Sequence, residues 1–328
     1  MNSLSTSVLL AVLSIPTFIA AGCSAGKESV VQPTTSNSTP SANTAAATPA
    51  GVAVRKGHEL VNGVNYYYEI RGEGAPLLLL HGGLQTLDIF ASHYPVLTTS
   101  RQVIAVDLHG HGRTQLGDRK INLSDQGDDM AVLVERLGFK QVDAAGYSLG
   151  AGVAFRFAVQ HPEKVRRLAL VSLCFSTDGF YPEMLPLQGQ VSGAMADMMK
   201  DTPMYKSYVA VAPNPAEFPK LLDRLGEYMR GRYDWADDVK KLKMPVILVF
   251  GDGDMFRLEH VVEFYKLLGG GKQDAGWMRE HMAQNRLAIL PNVTHYDMFL
   301  SPLMASTVLQ FIDDKGGAPT WAEQVAKP

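Results

Sequence analysis

The sequence predicts an α/β protein: a mostly parallel, doubly wound sheet with helices on both faces and a helical cap inserted past its midpoint. From about Gly57 onward, short β-branched or aliphatic runs alternate with stretches of helical length, the pattern of successive βαβ units. Several runs, such as Leu77–Leu80, are apolar at every position, as a strand buried on both faces must be. One long stretch then breaks the alternation with prolines spaced among helical pieces.

At 328 residues, 46% of them hydrophobic and 19% charged, the chain can bury one large core plus an insertion, and a second domain of equal size is not required. A net charge of −3 offers no basic surface for nucleic acid. Cys23 and Cys174 are the only cysteines, and no internal disulfide is expected from them. Nothing in the sequence sets the oligomeric state.

The first 22 residues carry no charged side chain, and Val8–Ala21 form an apolar run too short to span a bilayer, which is the core of a signal peptide. Ala20-Ala21-Gly22-Cys23 resembles the bacterial lipobox, whose cysteine is lipidated and becomes the mature N-terminus. Two departures are visible: Met1–Ser7 has no Lys or Arg, and Ala20 stands where leucine is usual. The resemblance implies a lipid anchor at Cys23. Ser24 rather than Asp after it implies the periplasmic face of the outer membrane; a soluble periplasmic or secreted protein is the alternative. Each acyl chain, at ~0.8 kcal/mol per methylene, would contribute on the order of 10 kcal/mol to partitioning, so two or three would hold the protein stably. Residues 23–54 are rich in Ser, Thr, Ala and Pro, with almost no large apolar side chain to bury, and read as a tether ahead of the domain at 55–328.

The domain opens with an antiparallel hairpin, His58–Asn62 and Val64–Arg71, turning near Asn62-Gly63. Leu77–Leu80 follows and runs into His81-Gly82-Gly83. Further buried strands are expected at Val103–Asp107, Val142–Tyr147, Leu168–Leu173, Val246–Gly251 and Leu287–Leu290. Helices are expected near Thr86–Leu97, Ser124–Leu137, Leu149–His161, Leu258–Leu268 and Pro302–Asp313. After Ser176, roughly 60 residues pass without a strand, too long for a structureless loop in a compact domain. Thr177–Tyr233 is therefore expected to form the helical cap. Its methionines, Met195, Met198 and Met199 among them, would either line an adaptable apolar substrate site or fill the cap's own core.

Gly146-Tyr147-Ser148-Leu149-Gly150 matches G-x-S-x-G where a strand ends and a helix begins. A nucleophile on so sharp a bend needs small flanking residues, or strand and helix would clash. With this motif in place, the chain resembles the α/β-hydrolases over essentially all of Gly57–Asp314. His81-Gly82-Gly83 resembles that family's oxyanion loop. The resemblance implies that the backbone N–H of Gly83 or Leu84 pairs with that of Leu149 to hold a developing oxyanion, while the His81 ring fixes the loop. Asp107-Leu108-His109-Gly110-His111-Gly112 resembles the family's D-x-R-G-x-G turn, with His109 in place of arginine. Two histidines so close suggest a metal, but no nearby Cys, Asp or Glu completes a ligand set, so neither metal nor cofactor is expected.

A serine hydroxyl needs a base within hydrogen-bonding reach and a carboxylate to orient that base. His295, just after the last strand, is the candidate base; His260 falls within an expected helix and His281 in a Gly-rich excursion. For the acid, the register of Phe250-Gly251-Asp252-Gly253-Asp254 against the family's G-x-x-D selects Asp254, with Asp252 as the competitor and Asp297, expected to cap the next helix, a weaker one. Tyr147, beside the nucleophile, joins the cap methionines as a candidate substrate contact. The resemblance implies a serine hydrolase acting on small-molecule carboxylic esters through an acyl-enzyme. Other acyl or carbon–carbon bond chemistry on the same residues, and a non-catalytic envelope binding protein, are the alternatives. A serine at the bend argues against the related dehalogenases and epoxide hydrolases, which use aspartate there.

Overall fold

Asn62 and Gly63 both adopt positive φ, 48° and 85°, the turn geometry whose twist suits a tight hairpin. They fold Arg55–Val61 (β1) back onto Val64–Arg71 (β2), with Val61 opposite Val64. The computed structural model describes residues 54–314 together with Trp321 and Val325. The expected signal peptide, Cys23 and all but the last residue of the tether lie outside the described residues.

Ala75–Leu80 (β3), Arg101–Val106 (β4), Val142–Tyr147 (β5), Val165–Val171 (β6), Val246–Gly253 (β7) and Arg286–Thr294 (β8) complete an eight-stranded sheet of order β1-β2-β4-β3-β5-β6-β7-β8. The β1–β2 and β2–β4 pairings are antiparallel and the others parallel. The helices of nine or more residues are Leu123–Arg136 (α1), Leu149–Gln160 (α2), Pro203–Val211 (α3), Phe218–Met229 (α4), Leu258–Leu267 (α5) and Pro302–Ile312 (α6).

Alternation along the central strands buries both faces of the sheet there. Leu79, Ala145, Val171 and Val249 pack with Met304, Val308 and Ile312 of α6. Their neighbours Leu78, Leu80, Ala144 and Leu170, all at 0% exposure, belong to the opposite face, where α1 packs on α2 and α2 lies against β3, β5 and β6. Each leucine so buried contributes about 1.5–3 kcal/mol relative to remaining in water. Short helical segments from Thr177–Gly179 to α4 fill the stretch expected to form the cap. In α4 the apolar residues Phe218, Leu221, Leu222 and Leu225 fall on one buried stripe.

The helix expected over Thr86–Leu97 is instead broken into a 3₁₀ turn, Leu87–Phe90, and a single turn, Tyr94–Leu97. Tertiary bonds override the local pattern here: the Leu87 N–H donates to Asp107 Oδ1 at 2.7 Å, and the His93 ring bonds the Phe299 carbonyl at 2.5 Å.

At the N-terminal ends of the central strands, the Arg101 guanidinium donates to Asp143 (2.6 Å), to Asp313 (2.6 Å) and to the Ile312 carbonyl (2.6 Å), joining β4, β5 and the end of α6. Asp143 is fully buried and Arg101 nearly so. Removing the guanidinium leaves buried carboxylate oxygens short of donors, so Arg101→Met should lower stability by about 3 kcal/mol in urea titration.

His81, His93, His109, His111 and His260 are all at most 3% exposed. Burial lowers the pKa of each, to about 4 for His81 and His260 and about 3 for His111. In the unfolded chain each titrates near its ordinary value of 6.5, so between there and its folded value the unfolded state binds more protons. Stability should therefore be full above that value and fall as pH drops toward 4, by up to about 1.4 kcal/mol per pH unit for each such histidine. Urea midpoints measured from pH 8 to 4.5 should fall steeply below pH ~6.5; a flat series would overturn this reading.

Candidate active site

Strand β5 and helix α2 meet at Ser148, whose φ of 53° and ψ of −117° make the bend between them. Its N–H donates to the Val171 carbonyl (2.9 Å) and its own carbonyl accepts from Gly152 (3.1 Å), so neighbouring β6 and the helix both pin the strained residue. The two motif glycines make the crossing feasible. A Cβ on Gly146 would lie 2.2 Å from the Gly150 carbonyl oxygen, and one on Gly150 2.4 Å from the carbonyl oxygens of Leu80 and His81.

His295 follows directly on β8 and is 6% exposed. Its Nε2 lies 3.0 Å from Ser148 Oγ and its Nδ1 2.9 Å from Asp254 Oδ1. With a carboxylate at Nδ1, the neutral ring carries its proton there and turns a lone pair on Nε2 toward the serine. Burial by itself would push the Asp254 carboxyl up, but His295 beside it and the bonds from Ser172 and the Met255 N–H outweigh that and hold it below its ordinary value. Asp252 does not touch His295. It is exposed and accepts from the Val293 N–H at 3.2 Å; the N–H groups of Asn292 and Val293 hold its carboxyl low. Asp252 thus ties the acid-bearing turn to β8, where the β7–β8 register shifts between Gly251 and Gly253. Asp297, expected to cap the following helix, instead accepts from the Thr294 N–H (2.7 Å) and hydroxyl (2.8 Å), closing the turn that carries His295.

Beside Ser148, Leu149 opens α2, so its N–H has no acceptor within the helix, and the positive end of the helix dipole lies at Ser148. Gly83 lies opposite: a Cβ there would sit 4.0 Å from Leu149 Cβ. Leu84 holds a left-handed φ of 57°, a strained conformation for a non-glycine residue. His81 is fully buried, its Nδ1 bonding the Gly82 carbonyl (2.7 Å) and its Nε2 accepting from the Leu108 N–H (3.0 Å). Asp107 ties this loop to the following turn by accepting from the N–H groups of Leu87 (2.7 Å) and Arg113 (2.8 Å). Arg113 also gives Asp107 a guanidinium contact at 3.1 Å, supplying the cation that His109 does not. His109 is buried and bonds the Leu116 carbonyl at 2.7 Å. Among the described residues, no three His, Cys, Asp or Glu side chains are grouped to hold a metal.

Two expected substrate contacts are placed elsewhere. Tyr147 is 4% exposed and lies in the core under α6, because alternation turns the residue before Ser148 to the opposite face of β5; its hydroxyl donates to the His295 carbonyl. Met199 is 2% exposed and so is closed to solvent, whereas Met198 is exposed and Met195 half-buried. A void of about 10 Å³ beneath Tyr147 is lined by apolar residues such as Leu79 and Met304 and is packing space, too small and too dry for substrate. Of the rival bases, His260 stacks on Phe175 with ring centroids 4.0 Å apart and His281 is exposed in the excursion before β8. Ser172, which donates to Asp254 Oδ2 at 2.6 Å, was not marked by any motif. A polar residue closing an apolar strand run, Leu168–Val171, was the one signal available.

The family model described as alpha/beta hydrolase fold matches residues 75–201. A 2-hydroxymuconate semialdehyde hydrolase from Pseudomonas sp. (strain CF600) is 36% identical over 104 residues, 30% of this chain and 37% of the relative. A pimeloyl-[acyl-carrier protein] methyl ester esterase from Legionella pneumophila is 25% identical over 252 residues, covering 73% of this chain and 97% of the relative. A solved carboxylesterase from Bacillus subtilis superposes with a TM-score of 0.60 at 16% identity, covering 80% of this chain and 92% of the other. The chain spans 36–40% of the length of the first curated relatives it matches. Sheet order and the matched segment together show that this chain has the α/β-hydrolase fold.

Proposed function

We propose that this protein is a serine hydrolase that cleaves carboxylic esters of small to medium size by acyl transfer. The observation that carries the reading is the continuous hydrogen-bonded line from Ser148 Oγ through His295 to Asp254, at 3.0 and 2.9 Å. Ser148 attacks the ester carbonyl as His295 Nε2 takes its proton. The imidazolium, held by Asp254, then protonates the departing alkoxide; water, deprotonated by the same ring, releases the acid. Backbone N–H groups of Leu149 and of Gly83 or Leu84 hold the tetrahedral oxyanion, each worth about 3 kcal/mol in a dry site. The esterase relative, matched over 97% of its length, supports ester chemistry. A second reading, carbon–carbon bond hydrolysis, is favoured by the likeness to the 2-hydroxymuconate semialdehyde hydrolase. We further propose that Cys23 is lipidated and anchors the enzyme to the cell envelope, with residues 24–54 as its tether.

Ser148→Ala should lower turnover of p-nitrophenyl esters by on the order of 10⁶, and Asp254→Asn by about 10⁴, with Asp252→Asn losing less than about tenfold. A fluorophosphonate probe should label Ser148 alone. Labelling elsewhere would overturn the mechanism, and silence across a chain-length series of esters with Ser148 still labelled would favour the second reading. Metabolic palmitate should label the wild type and not Cys23→Ala; equal labelling of the two would refute the anchor.

A further inference from the structure

We propose that Ser172 is a positioning residue for the acid of this site: its hydroxyl fixes the second carboxylate oxygen of Asp254 and so sets the orientation and charge that Asp254 presents to His295. The proposal rests on the acyl-transfer reading above and deepens it.

Ser172 is the first residue beyond β6 and is fully buried. Its φ is 53°, a conformation strained for a non-glycine residue and maintained only where the surroundings impose it. The surroundings here are two bonds. The Ser172 N–H donates to the Val249 carbonyl at 2.8 Å, continuing the β6–β7 pairing past Val171, and the hydroxyl donates to Asp254 Oδ2 at 2.6 Å. That second bond is short, as expected of a hydroxyl on an ionised carboxylate.

The donors around Asp254 divide unequally between its oxygens. Oδ1 accepts from His295 Nδ1 at 2.9 Å and the Met255 N–H at 2.8 Å. Oδ2 accepts from Ser172 and, at 3.4 Å, the Gly251 N–H. Without the hydroxyl, Oδ2 keeps only that long contact while buried, and the carboxylate gains freedom to turn about its bond to Cβ. Two effects follow. The imidazole is held less firmly in line with Ser148, and the less well solvated carboxylate draws positive charge onto the ring. Tyr147, Tyr296 and Asp297 are the other titratable groups near the pair, with Cys174 two residues from Ser172 and Asp252 exposed on the same turn. None of these changes when Ser172 alone is replaced.

Two replacements separate the hydroxyl from the backbone. Ser172→Ala removes the donor and keeps the left-handed strain, whereas Ser172→Gly removes the donor and accepts that backbone freely. The readout is the rate of Ser148 labelling by a fluorophosphonate across pH, resolved into a limiting rate and a half-saturating concentration and measured alongside thermal midpoints. Both variants should lower the limiting rate by about 10- to 100-fold with little change in half-saturation. In both, the acid limb of the profile should move to higher pH by about half a unit or more. The glycine variant should fold at least as stably as the alanine one. If Ser172→Gly labels like the wild type with an unmoved acid limb, Ser172 is only a structural residue and the proposal fails. Labelling that survives Ser148→Ala would instead overturn the acyl-transfer reading, and this proposal with it.

Discussion

The close approach of β5 to α2 at Ser148 is the constraint on which the rest of the site depends. Strand and helix can cross there only because Gly146 and Gly150 lack side chains, with backbone oxygens standing 2.2 to 2.4 Å from where their Cβ atoms would be. The crossing forces a left-handed φ on Ser148, and strain of that kind persists only where neighbouring structure over-determines it. Val171 on β6 supplies one restraint and Gly152 in α2 the other. The same crossing aims the N-terminus of α2 at the serine, so the strained hydroxyl and the positive end of the helix dipole arrive together.

The candidate site and the buried ion cluster lie at opposite ends of the parallel strands. Ser148, Asp254 and His295 all follow the C-terminal ends of β5, β7 and β8, the end at which open α/β sheets place their ligand crevices. Arg101, Asp143 and Asp313 meet at the other end and bind the last helix to the sheet. The buried carboxylates follow one rule at both ends. Asp254 and Asp107 accept several N–H or O–H donors and Asp143 two guanidinium groups, while Asp129 accepts from the Tyr66 hydroxyl and the Asn62 amide and forms an ion pair with Arg119. A charge taken out of water is retained only where such donors replace the lost hydration.

Sheet strands and the four long helices outside the cap, α1, α2, α5 and α6, were legible because their signals are local. Leu77–Leu80 is apolar throughout since both faces of β3 are covered, and Asn62-Gly63 can hardly be anything but a tight turn. The bend at Ser148 was legible because its backbone geometry admits few residues on either side. What the sequence concealed depends on partners remote along the chain. Thr86–Leu97 has a helical pattern, yet Asp107 and Phe299 claim its polar groups and break it. Tyr147 neighbours Ser148 in sequence but faces the other way, a consequence of strand alternation that motif reading ignores. Met199 could not be told from a lining residue without knowing which side of the cap faces inward. The register of the turn favoured Asp254 over Asp252 without deciding between them; the turn's three-dimensional path brings one to His295 and the other to Val293. Ser172 illustrates the limit most sharply, because its partner lies 82 residues away, just past the end of β7.

The direction of the hydrogen bonds determines what the site can do with a proton. Asp254 Oδ2 is occupied by the Ser172 hydroxyl and Oδ1 by the Met255 N–H, so the carboxylate offers His295 an acceptor and has no proton of its own to give. The imidazole must then carry its hydrogen on Nδ1. This leaves Nε2, 3.0 Å from Ser148 Oγ, as the atom that can receive one. The Tyr147 hydroxyl, donating to the His295 carbonyl from below the sheet, and Asp297, drawing in the N–H of Thr294, hold the backbone that carries the ring. The other donors around the histidine thus act either on its backbone or on its acid, and the one ring nitrogen left with a lone pair faces the hydroxyl of the strained serine.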